Sequence, residues 1–298
     1  MPERWLSVYL DLPSADPVLG DAMLADLVAP LVGRLRSSRS FSRWFFIRYR
    51  DPTPHLRLRV RTAGDRMDGI GAEIRAAAAR DPDVSPVRLR FEPYEPELER
   101  YGGPAGVAIA ERMFQVSSDM VLPVIPLLRS AHGPEERRLA HGALGAALLV
   151  ATLLEPGGPE ERAGFLERYE RRLVGTRVRE DARERFSETY QTWAGAQATL
   201  VRTLAPAVAA ADRPELLPEP VSTAVRGFHD VRRALLREAG RRPLRFRGRH
   251  VRTPAAALRM VTGSYLHMHL NRLGIGPIRE PLVCKIAREA FREEPAWA

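Results

Sequence analysis

The chain has 298 residues, 45% hydrophobic and 28% charged, a balance that excludes disordered and collagen-like polymers and leaves ample material for a buried core. Its 46 Lys+Arg against 37 Asp+Glu give a formal charge of +9, and because Lys285 is the only lysine, the excess is one of arginine. The lone cysteine, Cys284, excludes internal disulfides and thiolate-rich zinc sites, and a reducing cytoplasm is the expected compartment. No signal-peptide core is expected at the N-terminus, and the most apolar stretch, Leu139–Leu154, is too short and too interrupted by His141, Gly142 and Gly145 for a membrane span. A coding bias toward arginine, alanine and proline accounts for much of the arginine excess, so positions carry more information than totals. With acids spread among the arginines, and no basic tail or aromatic-spaced stripe, direct nucleic-acid binding is not expected.

Along the chain, Leu6–Leu12 reads as a strand, and Asp21–Arg36 as a helix with Leu24, Leu27, Val28, Leu31 and Leu35 on one face. Pro30 should kink or divide that helix. Trp44–Arg50 and Leu56–Arg61 are strand-like runs reversed at Asp51-Pro-Thr-Pro. A short helix over Ile70–Arg80 and a strand over Val87–Glu92 complete this part. From Pro104 the pattern is helical, with helices expected at Ala105–Met120, Glu135–Leu154, Glu160–Leu173, Glu180–Thr203, Leu216–Ala239, Pro254–Leu273 and Pro281–Phe291, separated by proline-containing breaks. The expected fold class is α+β: a mainly antiparallel sheet with helices over 1–103, followed by a largely helical part over 104–298. With no repeat and no linker between the parts, a single domain over 1–298 is expected.

Three segments stand out chemically. In His55-Leu-Arg-Leu-Arg-Val-Arg61, strand alternation puts Leu56, Leu58 and Val60 on one face and His55, Arg57, Arg59 and Arg61 on the other. That second face is either a solvated basic surface or a set of guanidinium forks gathered for a carboxylate. Val87–Glu92 alternates similarly, but Glu92 partly neutralises it and a solvated face is the simpler reading. The second segment, Tyr94 to Pro104, puts Arg100 and Tyr101 at the mouth of a Gly102-Gly103 turn. Arg100 could pair there with Glu95, Glu97 or Glu99, or meet a ligand. In the third, Ser264, His267 and Asn271 share one helical face at i, i+3 and i+7, and His269 points away from His267. Two histidines two residues apart, without acidic or thiol partners, do not make a zinc pair. His267 is either structural or an acid or base working near neutral pH.

Other chemistries lack their residues. Gly274-Ile-Gly276 has no third glycine or preceding strand for a dinucleotide site, no lysine is placed for a phosphate loop, and no Gly-x-Ser-x-Gly elbow occurs. Cys284 has no motif around it and reads as a packed helix residue.

Taken together, Trp44-Phe-Phe-Ile-Arg-Tyr-Arg-Asp-Pro-Thr-Pro-His-Leu-Arg-Leu-Arg59, Glu99-Arg-Tyr-Gly-Gly103 and Leu266-His-Met-His-Leu-Asn-Arg-Leu273 resemble, in order, the C-terminal glutamate-elimination domain of lantibiotic dehydratases. The resemblance spans essentially the whole chain and suggests a stand-alone elimination half of a split dehydratase, of the thiopeptide type. It implies a cytoplasmic lyase that needs no metal or cofactor. A separate tRNA-dependent protein would glutamylate Ser or Thr of a precursor peptide, and this chain would eliminate glutamate to leave dehydroalanine or dehydrobutyrine. The family's critical arginines fall on Arg57, Arg59 and Arg100 and its histidine on His267. Their neighbours His55, Tyr101, Ser264 and Asn271 are then expected to contact substrate. Pyridine synthases of thiopeptide pathways share the fold and join two dehydroalanines in a formal [4+2] cycloaddition, with loss of water and leader peptide. The arginine and histidine pattern favours elimination over that activity. A non-catalytic subunit that binds the precursor or the glutamylating partner is a third possibility.

Overall fold

A computed structural model describes residues 2–80, 88–129, 133–177 and 194–293. The predicted strand residue Val87, and residues 180–193 of the predicted helix Glu180–Thr203, lie outside them. The chain forms two compact units: Met1–Glu97 with Phe114–Pro134, and Leu98–Met113 with Glu135–Ala298.

The first unit is built on a four-stranded antiparallel sheet in the order β2-β3-β1-β4. Its strands are β1 (Glu3–Asp11), β2 (Arg43–Tyr49), β3 (His55–Ala63) and β4 (Arg88–Phe91). The reversal between β2 and β3 closes with Tyr49 opposite His55, around the predicted Asp51-Pro-Thr-Pro segment. One sheet face is apolar, with Leu6, Val8, Leu10, Leu56, Leu58 and Val60 all buried. Helices α1 (Pro17–Ala22), α2 (Ala29–Ser37) and α3 (Met67–Ala78) belong to this unit. Arg48 reaches Asp21 of α1 at 2.5 Å, and Arg75 of α3 lies 4.4 Å over the Phe91 ring.

The expected division at Pro30 is present and has a local cause. Met23–Val28 between α1 and α2 is π-helical, with the Ala29 amide donating to the Leu24 carbonyl. Pro30 has no amide hydrogen for the regular ladder, and one extra residue per turn absorbs the mismatch. Leu24, Leu27, Val28, Leu31 and Leu35 are nevertheless all buried.

Helix α5 (Pro104–Val121) ends in this unit and closes its β2 edge. Phe114 packs on Phe45 at 5.2 Å. The Phe46 amide donates to Ser118 Oγ at 3.3 Å, and Trp44 Nε1 donates to Asp119 at 2.9 Å. An edge strand covered in this way offers no template for another chain. Trp44, Phe45 and Phe46 are fully buried, each worth about 1.5–3 kcal/mol to folding. A short helix α6 (Ile125–Arg129) follows.

Among its described residues the second unit is helical, as expected, except at one place. It contains α4 (Leu98–Tyr101), the start of α5, α7 (Pro134–Leu153), α8 (Pro159–Arg177), α9 (Ala194–Ala209), α10 (Val221–Arg241), α11 (Pro254–Arg272) and α12 (Glu280–Ala290). From Gly142 to its end α7 is buried nearly all round, the mark of a central helix. Its two glycines are contact points rather than interruptions: a methyl group at Gly142 would strike Ile275, and one at Gly145 would strike the His269 ring. α12 packs on α8 and α9, and α11 on α10. The departure is a hairpin of β5 (Leu244–Phe246) and β6 (Arg249–Val251), between the predicted helices Leu216–Ala239 and Pro254–Leu273. Arg247 and Gly248 both take positive φ, 45° and 79°, which suits a two-residue turn between antiparallel strands. No helix among the described residues is long and apolar enough to cross a membrane.

Candidate functional site

The predicted site residues fall into two groups, one in each unit. On the non-aliphatic face of the sheet, β3 presents His55, Arg57, Arg59 and Arg61, opposite Asp11, Tyr9, Ser7 and Trp5 of β1. This face is not a solvated basic surface: His55 is 1% exposed and Arg59 6%. Nor are acids gathered among the inner arginines. Arg61 pairs with Glu3 at 3.2 Å, and Arg90 of β4 pairs with Asp11 at 2.8 Å and Glu92 at 3.2 Å. Among the described residues, Arg57 and Arg59 have no carboxylate within ion-pair distance.

Aromatic rings take the place of acids. The Arg57 guanidinium lies 3.5 Å over the Tyr49 ring and 4.6 Å over Tyr9. That of Arg59 lies 4.5 Å over Tyr94 and 5.3 Å over Phe45, within a cluster completed by Trp5. Ring faces attract a cation but do not cancel its charge. Burial depresses the Arg59 pKa, partly offset by Tyr94 and Tyr9, and its Nε is buried without a hydrogen-bond partner among the described residues. An arginine stays protonated under such conditions, so the sheet holds a desolvated positive charge of the kind a carboxylate would complete.

His55 holds Arg57 by its neutral form. Arg57 Nε donates to His55 Nε2 at 2.9 Å, and His55 Nδ1 lies 2.7 Å from the Thr53 carbonyl. A guanidinium can only donate and a carbonyl can only accept, so the proton sits on Nδ1. The ring is stacked between Tyr9 and Tyr49, at 5.0 and 5.4 Å. Burial depresses its pKa first, the Thr53 hydrogen bond opposes this, and Arg57 adds to the depression.

In the second unit the C-terminal part of α11 is largely buried, and between Val261 and Gly274 only Gly263, Ser264, His267, Asn271 and Gly274 are partly exposed. The predicted Ser264–His267–Asn271 face is therefore the open stripe of this helix. His267 Nδ1 lies 2.6 Å from Oε1 of Glu280, a fully buried carboxylate in the first turn of α12. The helix N-terminus there favours a negative charge. Tyr169 of α8 donates to Oε2 of the same carboxylate at 3.1 Å, and its ring packs on Gly263. With Glu280 accepting at both oxygens, His267 donates through Nδ1, and its Nε2 carries the lone pair.

Arg100 reaches the same stripe. Its Nε donates to Ser264 Oγ at 3.3 Å, one helical turn from His267. Gly102 and Gly103 take φ of 91° and 87°, as expected of the paired glycines. A β-carbon on Gly102 would lie 2.9 Å from the Phe246 ring of the hairpin, and the Arg247 amide donates to the Glu99 carbonyl at 2.8 Å. The hairpin thus clamps the turn that carries Arg100. Tyr101, expected to contact substrate, is 3% exposed and stacked on Tyr265 at 5.9 Å, where it supports the turn from beneath. His269 is buried, and its pKa is pushed down to about 3 by burial, with Arg272 adding to the effect. Cys284 is buried and its thiol is pushed up, consistent with a packed helix residue.

Sequence reasoning missed Glu280, Tyr169 and the rings around Arg57 and Arg59. Glu280 immediately precedes the predicted start of the last helix at Pro281, where an acid reads as ordinary helix-start chemistry. Tyr9 was within reach, since a tyrosine opposite an arginine on neighbouring strands is a favourable pair.

The sequence profile of the lantibiotic biosynthesis dehydratase C-terminal family matches residues 5–291, and the chain belongs to that family. No curated protein matches it by sequence. Among solved structures, TsrL is similar over 97% of this chain and 94% of its own, with a TM-score of 0.72 and 19% identity. The pyridine synthase TbtD from thiomuracin biosynthesis is similar over 96% of this chain and 97% of its own, with a TM-score of 0.68 and 20% identity. MibB, a tRNA-dependent lantibiotic dehydratase from Microbispora sp. 107891, matches over 96% of this chain but only 28% of its own, with a TM-score of 0.59 and 24% identity. At these identities the likeness concerns the fold.

Proposed function

We propose that the chain eliminates glutamate from glutamylated Ser or Thr side chains of a ribosomally made precursor peptide in thiopeptide or lanthipeptide biosynthesis, leaving dehydroalanine or dehydrobutyrine. It acts in the cytoplasm as a single elimination-type domain over 1–298, after a separate tRNA-dependent protein has esterified the substrate, and needs no cofactor. The observation that carries this reading is the His267–Glu280 pair on the open stripe of α11, one turn from Arg100.

The chemistry asks for a base and for positive charge. His267 Nε2 takes the α-proton while Glu280 holds Nδ1. The electrons of the broken Cα–H bond form the Cα=Cβ double bond, the Cβ–O bond breaks, and glutamate leaves with a new side-chain carboxylate. Arg57, Arg59 and Arg100 supply donors for the enolate-like oxygen and for the carboxylates of the leaving group. Ser264 and Asn271 flank His267 as substrate contacts, with His55 and Tyr101 acting from behind Arg57 and Arg100.

A second reading, pyridine synthesis by cycloaddition of two dehydroalanines, draws support from the near full-length likeness to TbtD. One experiment separates the two. Offered a glutamylated peptide, the protein should release free glutamate with the matching mass loss, and Arg59→Ala and His267→Ala should fold normally yet leave the ester in place. An intact ester, together with cyclisation of a bis-dehydroalanine peptide, would establish the second reading instead.

A further inference from the structure

From Ala239 to Arg279 the sequence contains no acidic residue, and the β5–β6 hairpin lies within this stretch. Leu244 and Phe246 turn inward, each 2% exposed, so the alternation throws Arg245 outward, and Arg247, Arg249, His250 and Arg252 are exposed with it. None of these arginines pairs with a carboxylate among the described residues. Their neighbours behave differently: Arg242 pairs with Glu238 at 2.6 Å, and Arg259 lies 3.6 Å from Glu161.

The arrangement works against the hairpin's own stability. Arg245, Arg247, Arg249 and Arg252 crowd like charges onto one short ribbon, and their mutual repulsion is unfavourable. A two-stranded ribbon of three-residue strands has little stability to spare. The same hairpin clamps the Arg100 turn, through Arg247 on Glu99 and Phe246 beneath Gly102. Its charge therefore lies beside half of the candidate site.

We propose that the outward arginines of the β5–β6 hairpin are the docking surface for an acidic stretch of the peptide substrate, delivering the attached core to the Arg100 turn. The proposal rests on the peptide-elimination reading above. Guanidinium forks match Asp and Glu carboxylates two hydrogen bonds at a time. A single-stranded nucleic acid fits less well, because the hairpin's phenyl ring faces inward and offers no platform for base stacking.

The probe is a fluorescein-labelled peptide of alternating aspartate, glutamate and leucine, with anisotropy measured on the full chain. The wild type should bind it, with affinity falling several-fold as salt is raised. Arg245→Glu with Arg249→Glu should weaken binding about tenfold or more, as expected for removing several exposed charge contacts. These side chains are exposed, so the variant should keep the wild-type circular dichroism and melting temperature. Arg226→Glu with Arg233→Glu, on exposed positions of α10, should bind as wild type. Equal binding by the hairpin variant would overturn the proposal, and so would oligo-dT binding more tightly than the peptide. Because binding is read with an unmodified peptide, a wild type that binds it while the hairpin variant does not, yet releases no glutamate, leaves the docking surface standing and removes the elimination reading. Normal KM for a glutamylated acidic precursor in the hairpin variant does the reverse.

Discussion

His267 has one ring nitrogen committed and one available, and the commitment comes from a carboxylate that is itself fixed. Glu280 is fully buried, accepts from His267 and Tyr169, and sits in the first turn of α12. Such a carboxylate sets the tautomer of the imidazole and stabilises the imidazolium formed when a proton is taken, the arrangement familiar from serine-protease triads. Glu280→Gln keeps the shape and removes the charge, and an amide can turn its N–H toward Nδ1 and invert the tautomer. The expected outcome is a fall in kcat of about 10²–10⁴-fold with KM within about twofold, measured by glutamate release. A drop in KM-dependent binding with unchanged kcat would show that Glu280 only shapes the pocket. Tyr169→Phe removes one hydrogen bond and leaves the charge, so its effect on kcat should be the smaller of the two.

At the scale of elements, periodicity was a reliable guide wherever a face was buried. The β3 alternation and the α11 stripe are as read, because a one-residue slip would have turned each polar set into the core. The β5–β6 hairpin was illegible because its strands are only three residues long and its turn is Arg-Gly, so the segment looks like a charge run. The rings that sandwich Arg57 and Arg59 come from β1, β2 and the segment after β4, and the strand order that gathers them is a long-range fact. The sequence marks Gly145 only as a break in an apolar run; in the fold it is the place where α7 accommodates His269. Gly145→Ala should therefore destabilise the protein by about 1–3 kcal/mol or more, since neither the ring nor the backbone can give way freely. Gly33→Ala is the contrasting case. Gly33 is exposed inside α2, with nothing near its Cβ position, and the substitution should stabilise by about 0.5–1 kcal/mol. Paired denaturant titrations check both, and equal effects of the same sign would refute the packing argument.

Across the whole molecule, three desolvated histidines make stability depend on pH in a definite direction. His55, His141 and His269 all have pKa values depressed chiefly by burial, that of His269 to about 3. The unfolded chain takes up these protons in the ordinary histidine range, whereas the folded chain resists until the pH is lower. The unfolded state then binds more protons as the pH falls, so the stability present above the ordinary range is lost on acidification. Each such histidine contributes a slope of up to about 1.4 kcal/mol per pH unit within its window. Glu170, raised by burial, acts in the opposite sense as pH rises above the ordinary carboxylate range and softens the slope. Protonating His55 would also end its acceptance from Arg57 Nε, so the sheet loses the group that orients that guanidinium. His141 and His269 lie in the second unit and His55 in the first, so acid should weaken the second unit more. Urea unfolding should therefore give a free energy about 2 kcal/mol or more lower at about pH 5.5 than at about pH 7.5. Hydrogen exchange should show the larger loss of protection in α7 and α11. Unchanged protection there between the two pH values would mean that these histidines are not held neutral by burial.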